Sequence, residues 1–372
     1  RPQARIWGYK SDSDCTGDLF LAEPEFQPGQ QIEDYIIGQR LERGGMAELY
    51  LARDIVLKRK VIIKVLSHPF YQKQEYRNQF LREAKIQANL DNPHVVQVFR
   101  AFVYQECPCL VMQHVQGTDL EKIVGKAKSI REKRQEKGAL SMERALHIFL
   151  QVLEGIGFTH KYNIVHGDIK PSNILLDQQG RVKIVDFGLS FTLASGKKMK
   201  GDMLPGGTLQ FMSPEQLLNE DVDSRSDIYS LGVTFFFTLT GQWPTGERKR
   251  VMDLLEYHME GSLEEPERIL DQVRTVRPRI KDAVLKALEK DQAKRHQSCL
   301  EFSLAIKEDA PHELYSELLR LSLLATKEIT PAERTYLDRI AKLKGLQPEE
   351  AEGLERSIRR EMGLVKTPSP AE

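Results

Sequence analysis

Ile164-Val165-His166-Gly167-Asp168-Ile169-Lys170-Pro171-Ser172-Asn173-Ile174-Leu175-Leu176 leads into a polar Asp177-Gln178-Gln179-Gly180 turn, then Arg181-Val182-Lys183-Ile184-Val185 and Asp186-Phe187-Gly188. Residue by residue, this is a loop bearing Asp168, Lys170 and Asn173, a short β-hairpin, and a second loop that holds Asp186 and ends in glycine. The hairpin returns Asp186 beside Asn173, and both side chains offer the hard oxygen donors that Mg²⁺ prefers. Asp168 is left to take a proton from an attacking hydroxyl, while Lys170 can neutralise charge on a moving phosphoryl group. The pattern can therefore build a metal-phosphate site.

Composition leaves room for such a unit. The chain has 372 residues and is 40% hydrophobic, enough for a sizeable core. Lys+Arg and Asp+Glu both number 54, so no global field favours nucleic acid or a membrane surface. Cys15, Cys107, Cys109 and Cys299 lack metal-ligand spacing, and a reducing, cytoplasmic setting is the simplest expectation. The most apolar window, Ile228 to Leu239, is interrupted by Ser, Gly and Thr and is too short to span a bilayer. The chain starts at Arg1 and no signal peptide is read in it.

Residues 1–33 are polar and irregular and are expected to form a disordered leader. From Asp34 strands follow over Tyr35–Leu41, Glu48–Arg53 and Lys60–Leu66, with a glycine turn at Gly44-Gly45, and again over Val95–Ala101 and Cys109–His114. Lys64 ends a β-branched run, and Glu83 sits on the next helical pattern. Past Gly117 the chain turns helical. A helix begins at Asp119–Val124, the basic run Lys126–Lys137 reads as a solvated insertion between helices, and a strong helical period spans Ser141–Tyr162 with Ser141 as N-cap. After about Ala310 a leucine-rich face and a Thr330-Pro331-Ala332-Glu333 capping box announce a helical appendage over 309–364. Thr367-Pro-Ser369-Pro closes a polar tail, 365–372, expected to be disordered.

The order and spacing of Asp168, Lys170, Asn173 and Asp186 resemble the catalytic and metal-binding loops of eukaryotic-like, bacterial-type Ser/Thr protein kinases, with His-Gly-Asp where His-Arg-Asp is usual. The resemblance covers about residues 34–308. It implies an α+β, two-lobed fold: a small β-rich N-lobe over 34–115 and a larger helical C-lobe over 116–308. It assigns Lys64 to the α/β-phosphates and Glu83 to the ion pair that holds Lys64. By the same resemblance Leu41, Gly44, Gly45, Leu49, Ile62, Met112, Gln113, Val115 and Leu175 would line the ATP site. Asn173 and Asp186 would hold Mg²⁺, with Asp168 as base and Lys170 beside it. Glu42 and Ala47 replace the first and third glycines of the phosphate-covering loop, and Ile62 stands where alanine usually lies over adenine. The segment Gly207–Glu215 resembles the substrate-docking end of the activation loop, with Arg295 as the partner of Glu215 and Asp227 as the brace of the catalytic loop.

The resemblance implies transfer of the ATP γ-phosphate to Ser/Thr hydroxyls of a protein substrate. Gly167 cannot clamp a loop phosphate as an arginine would, so control at Thr192, Ser195 or Thr208 is expected to run by another route. The alternative is a pseudokinase, a nucleotide-sensing or partner-binding scaffold, motivated by Glu42, Ala47, Ile62 and Gly167. The C-terminal helical hairpin is a further candidate surface for a protein partner.

Overall fold

Alternation along the strand Arg59–Leu66 (β4) sends Val61, Ile63 and Val65 to one face of a sheet and Ile62, Lys64 and Leu66 to the other. In the computed structural model the first face joins Phe26, Ile32, Tyr35, Ile37, Tyr50, Ala52, Phe102 and Val111 in one buried cluster. On the opposite face the helix Gln74–Ala88 (α1) lays Phe80 and Ala84 against Leu66, Val98, Leu110 and Met112. The structure describes residues 26–43, 47–134, 136–187, 191–192, 209–218, 220–246, 248, 250–307, 315–316, 318–320, 322–323, 327–343, 346–362 and 364.

The sheet is antiparallel throughout, in the order β1-β2-β3-β4-β6-β5. Its strands are Gln31–Ile32 (β1), Tyr35–Arg43 (β2), Ala47–Asp54 (β3), β4, Val98–Tyr104 (β5) and Cys107–Gln113 (β6). Residues 26–33 therefore do not belong to a disordered leader. Phe26 is buried beside Tyr50 and Tyr104, and an aromatic anchor of this size repays the ordering of the few residues around it. The rest of the expected leader, 1–25, lies outside the described residues, as does the tail 365–372.

Gly117–Asp119 (β7) pairs with Ile174–Asp177 (β9), which pairs with Val182–Ile184 (β10). A Cβ on Gly117 would stand 1.9 Å from Leu176 O, so only glycine admits this approach. Asp119 Oδ1 accepts from Lys122 N at 2.8 Å and caps the helix Leu120–Lys133 (α2). The basic run is thus largely the continuation of a helix, not an insertion: no helix breaker lies between Gly125 and Lys133, and Lys128 and Glu132 meet at i,i+4. Ser141 caps Met142–Lys161 (α3), whose Ile148, Phe149, Val152, Leu153 and Ile156 are buried. Phe149 stacks on Phe235 of Ser224–Thr240 (α4) at 4.1 Å between ring centroids. The apolar window read at 228–239 is this helix, buried on every side; no helix of the described residues is long and apolar enough to cross a membrane.

The chain divides into two compact units, 1–302 and 303–372. In the second, helices Pro331–Leu343 and Pro348–Glu361 enclose Leu337, Ala341, Leu346, Ala351 and Ile358 with Tyr315, Leu319 and Leu323. The capping box is present: Glu333 N donates to Thr330 Oγ1 at 3.3 Å, and Thr330 N donates to Glu333 Oε2 at 2.8 Å.

Candidate active site

The catalytic loop leaves the two-residue strand Ile164–Val165 (β8) and is held by a single buried carboxylate. Asp227, in the first turn of α4, accepts from His166 N and Gly167 N, each at 2.9 Å, through its two oxygens. His160, at the end of α3, lies 2.7 Å from the same carboxylate. Burial opposes the Asp227 charge, but His160, His166 and the Gly167 amide outweigh it and hold its pKa below the ordinary value. Gln216 Nε2 donates to Gly167 O at 2.9 Å, and Gly167 takes a φ of +77°, where a Cβ is disfavoured.

His166 carries the loop to the second half of the site. Its Nε2 donates to Val185 O at 3.3 Å, and Nδ1 accepts from Asp168 N at 3.2 Å, so the ring is the neutral Nε2–H tautomer. Burial lowers its pKa in keeping with that state. Val185 N also donates to Asn173 O at 3.0 Å. Asp168, Asn173 and Asp186 thereby share one backbone framework across the β9–β10 hairpin.

Asp168 is 8% exposed. Its Oδ2 accepts from Lys170 Nζ at 2.8 Å and from Asn173 Nδ2 at 3.1 Å, while Oδ1 is buried without a hydrogen-bond partner. Burial raises its pKa against the pull of Lys170, which makes the carboxylate a stronger base than an exposed aspartate. An unpartnered buried carboxylate oxygen is costly, and this one is the natural acceptor for a donor arriving from outside.

On the other side of the cleft Lys64 Nζ meets Asp186 Oδ1 at 2.6 Å. Lys64 is the main cause holding the Asp186 pKa down; burial opposes the charge on Lys64, and Asp186 is the main force that overcomes it. Glu83 takes its side-chain hydrogen bond from Gln79 Nε2 at 3.3 Å, and burial lifts its pKa to about 8 despite the field of Lys64. The Lys64–Glu83 pair implied by resemblance is not among the ion pairs of the described residues; Lys64 is engaged by Asp186 instead.

The strand registers order the expected nucleotide wall. Leu49, Lys64 and Leu110 stand in one row across β3, β4 and β6, and Leu51, Ile62 and Met112 in another. Met112 is buried in the cluster under α1, so the residue expected in the wall is also core. Gln113, Val115 and Leu175 are partly buried and Leu41 is exposed, while Gly44 and Gly45 lie outside the described residues. At the foot of the site Arg295 grips Glu215 through a two-pronged contact of 2.7 and 3.0 Å, both side chains buried. Sequence reading passed over His160, Gln216 and the tautomer of His166. The one available signal was position: His160 ends a helix that delivers the loop.

A family model for the protein kinase domain matches residues 35–303. The chain belongs to the protein kinase family. Serine/threonine-protein kinase PknB of Mycolicibacterium smegmatis is 33% identical over 318 residues, covering 83% of this chain and 47% of that protein. Serine/threonine-protein kinase PrkC of Bacillus subtilis is 31% identical over 289 residues, covering 78% of this chain and 42% of its own. The chain thus spans less than half the length of these curated relatives. The solved kinase domain of Mycobacterium tuberculosis PknI, crystallised as a mutant, matches with a TM-score of 0.57 at 23% identity, covering 76% of this chain and 98% of that one. That likeness bears on the fold, and it agrees with the two-lobed α+β kinase architecture described above.

Proposed function

We propose that this kinase domain transfers the γ-phosphate of ATP to Ser/Thr hydroxyls of a protein substrate. The observation that carries the reading is Asp168: one oxygen fixed by Lys170 and Asn173, the other buried and unpartnered. Asp168 orients the acceptor hydroxyl and takes its proton, Lys170 stays over the transferred group, and Lys64 faces the phosphates once nucleotide enters. The donor set suits Mg²⁺: Asp186 supplies a carboxylate, and Asn173 donates through Nδ2 to Asp168 O at 2.8 Å, which leaves its carboxamide oxygen for a cation. When bound, the ion would neutralise phosphate charge.

Activation is proposed to bypass an arginine clamp, because Gly167 spends its N–H on Asp227 and has no side chain to offer. Thr192 pairs with Ile164 through its backbone, whereas Ser195 and Thr208 lie outside the described residues. Alanine at any of the three should leave most activity in place. The test of the whole reading is intact-mass measurement of phosphate incorporation with Mg²⁺ and ATP on a generic basic protein, beside Asp168→Asn. Incorporation lost in the variant supports a working kinase; none in either chain, with ATP still bound, favours a scaffold.

A further inference from the structure

Three elements converge on His160: α3, which carries it, α4, which carries Asp227, and the helix Cys299–Ile306 (α5), which opens with Cys299. His160 Nε2 lies 2.7 Å from Asp227 Oδ2, and its other ring nitrogen, Nδ1, lies 3.7 Å from Cys299 Sγ. Asp227 is 1% exposed and Cys299 3%. The ring therefore stands between a buried carboxylate and a buried sulfur. The carboxylate only accepts, so Nε2 must carry a hydrogen for Asp227 to be held at that distance.

We propose that Cys299 is a positioning residue for the catalytic loop: its sulfur fixes the His160 ring so that Nε2–H faces Asp227, and Asp227 in turn holds the backbone of His166 and Gly167. The sulfur serves in either charge state of the ring. It donates S–H to a bare Nδ1, or it accepts from Nδ1–H of the imidazolium. Without it, Nδ1 is a buried nitrogen with no partner, and the ring is free to turn about its side-chain bonds and lengthen its contact with Asp227. Burial alone would strip the charge from His160, but Cys299 and Asp227 together outweigh it and lift the ring to about 10. The Asp227 oxygens that meet His160 and His166 are the same group, so a loosened ring weakens the anchor of the loop directly.

The effect on catalysis rests on the kinase reading; the linkage itself does not. A Cβ added at Gly157 would lie 3.1 Å from Cys299 Cβ, so the test uses Ala and Ser, neither bulkier than cysteine. Hydrogen exchange of peptides covering 164–169 is measured on the full chain without nucleotide. Cys299→Ala should speed exchange there by about five- to tenfold, the loss of one hydrogen bond, and Cys299→Ser should return it to within about twofold of wild type. Strands of the N-lobe sheet should not change. Exchange in the alanine variant equal to wild type, or serine behaving as alanine, overturns the proposal. Should the alanine variant fail to fold, the ¹⁵N shift of His160 Nδ1 in the wild type and in Cys299→Ser decides: a shift displaced by the change of sulfur to oxygen upholds the contact, and an unchanged one overturns it. In the alanine variant kcat should fall while KM for ATP holds, and serine should restore kcat. Absence of transfer in the wild type would overturn the kinase reading and leave the exchange result to judge Cys299.

Discussion

Lys64 Nζ and Asp186 Oδ1, 122 residues apart in sequence, meet at 2.6 Å. This contact joins the N-lobe sheet to the loop after the β9–β10 hairpin, and it places Lys64, the cation proposed to face phosphate, beside a carboxylate suited to a metal. Glu83 is left outside the ion pairs of the described residues. Each partner of the Lys64–Asp186 pair keeps the other charged, so the site is electrostatically closed before nucleotide arrives.

Glu83 registers that arrangement in stability. Burial raises its pKa from 4.5 to about 8, so the folded chain holds this proton more tightly than the unfolded chain. The contribution is complete below pH 4.5 and is lost as pH rises through about 8. Glu83→Gln, which keeps a partner for Gln79, should remove the dependence. The melting temperature of the variant minus that of the wild type should grow between about pH 5 and pH 9. A constant difference would contradict the assignment.

Asp168→Asn should lower phosphate transfer by roughly a hundred- to ten-thousand-fold while the fold and ATP binding persist. Because burial raises the Asp168 pKa, the acid limb of the kcat–pH profile should sit above the ordinary carboxylate value of 3.8. A limb at or below that value would remove Asp168 from the role of base.

Lys290 carries the opposite sign. Burial, helped by Arg295, lowers its pKa from 10.5 to about 7, while its Nζ donates to Tyr229 OH at 3.0 Å and lies 4.1 Å from the centre of the Tyr257 ring. A group depressed in the folded chain contributes stability above pH 10.5, and that stability is lost as pH falls through about 7. Lys290→Met should therefore gain on the wild type as the pH of a denaturation series drops from about 9 to 6. Parallel curves for the two chains would rule this out.

Much of the fold was legible because its signals are local. Alternation in Arg59–Leu66, the Asp119 and Ser141 caps, and the Thr330–Glu333 box each act over a few residues. The spacing of Asp168, Asn173 and Asp186 was readable because one short hairpin joins them. What escaped reading depends on contacts remote in sequence. Phe26 is an isolated aromatic in polar surroundings until Tyr50 and Tyr104 close on it. The partner of Lys64 is decided by where α1 settles against the sheet, and no feature near Glu83 encodes that. Likewise a basic run shows charge but not whether a helix continues beneath it.

Arg295 and Glu215 form a buried pair that should be costly to break. Arg295→Ala leaves a carboxylate that is 3% exposed with Ser226 as its remaining side-chain partner, and the loss should be about 3–5 kcal/mol. Arg295→Lys should recover little, because one ammonium cannot supply the two-pronged contact. Urea denaturation of both variants measures this; a cost near zero for Arg295→Ala would mean the pair is offset by its own desolvation.

Gly167 admits two explanations that a pair of substitutions can separate. At φ +77° the residue occupies a region where a Cβ costs about 1 kcal/mol, so glycine here relieves the backbone. It also removes the side chain that could bind a loop phosphate. Gly167→Ala restores the strain without adding a cation, and Gly167→Arg restores both. If the backbone alone explains glycine, the two variants should lose about the same stability, near 1 kcal/mol, and neither should make activity depend on a phosphate at Thr192, Ser195 or Thr208. If the missing guanidinium matters, only Gly167→Arg should lose activity when those hydroxyls are replaced by alanine. Rates measured on both variants with and without the alanine changes distinguish the cases, since Gln216 Nε2 and Asp227 still hold the Gly167 backbone in each.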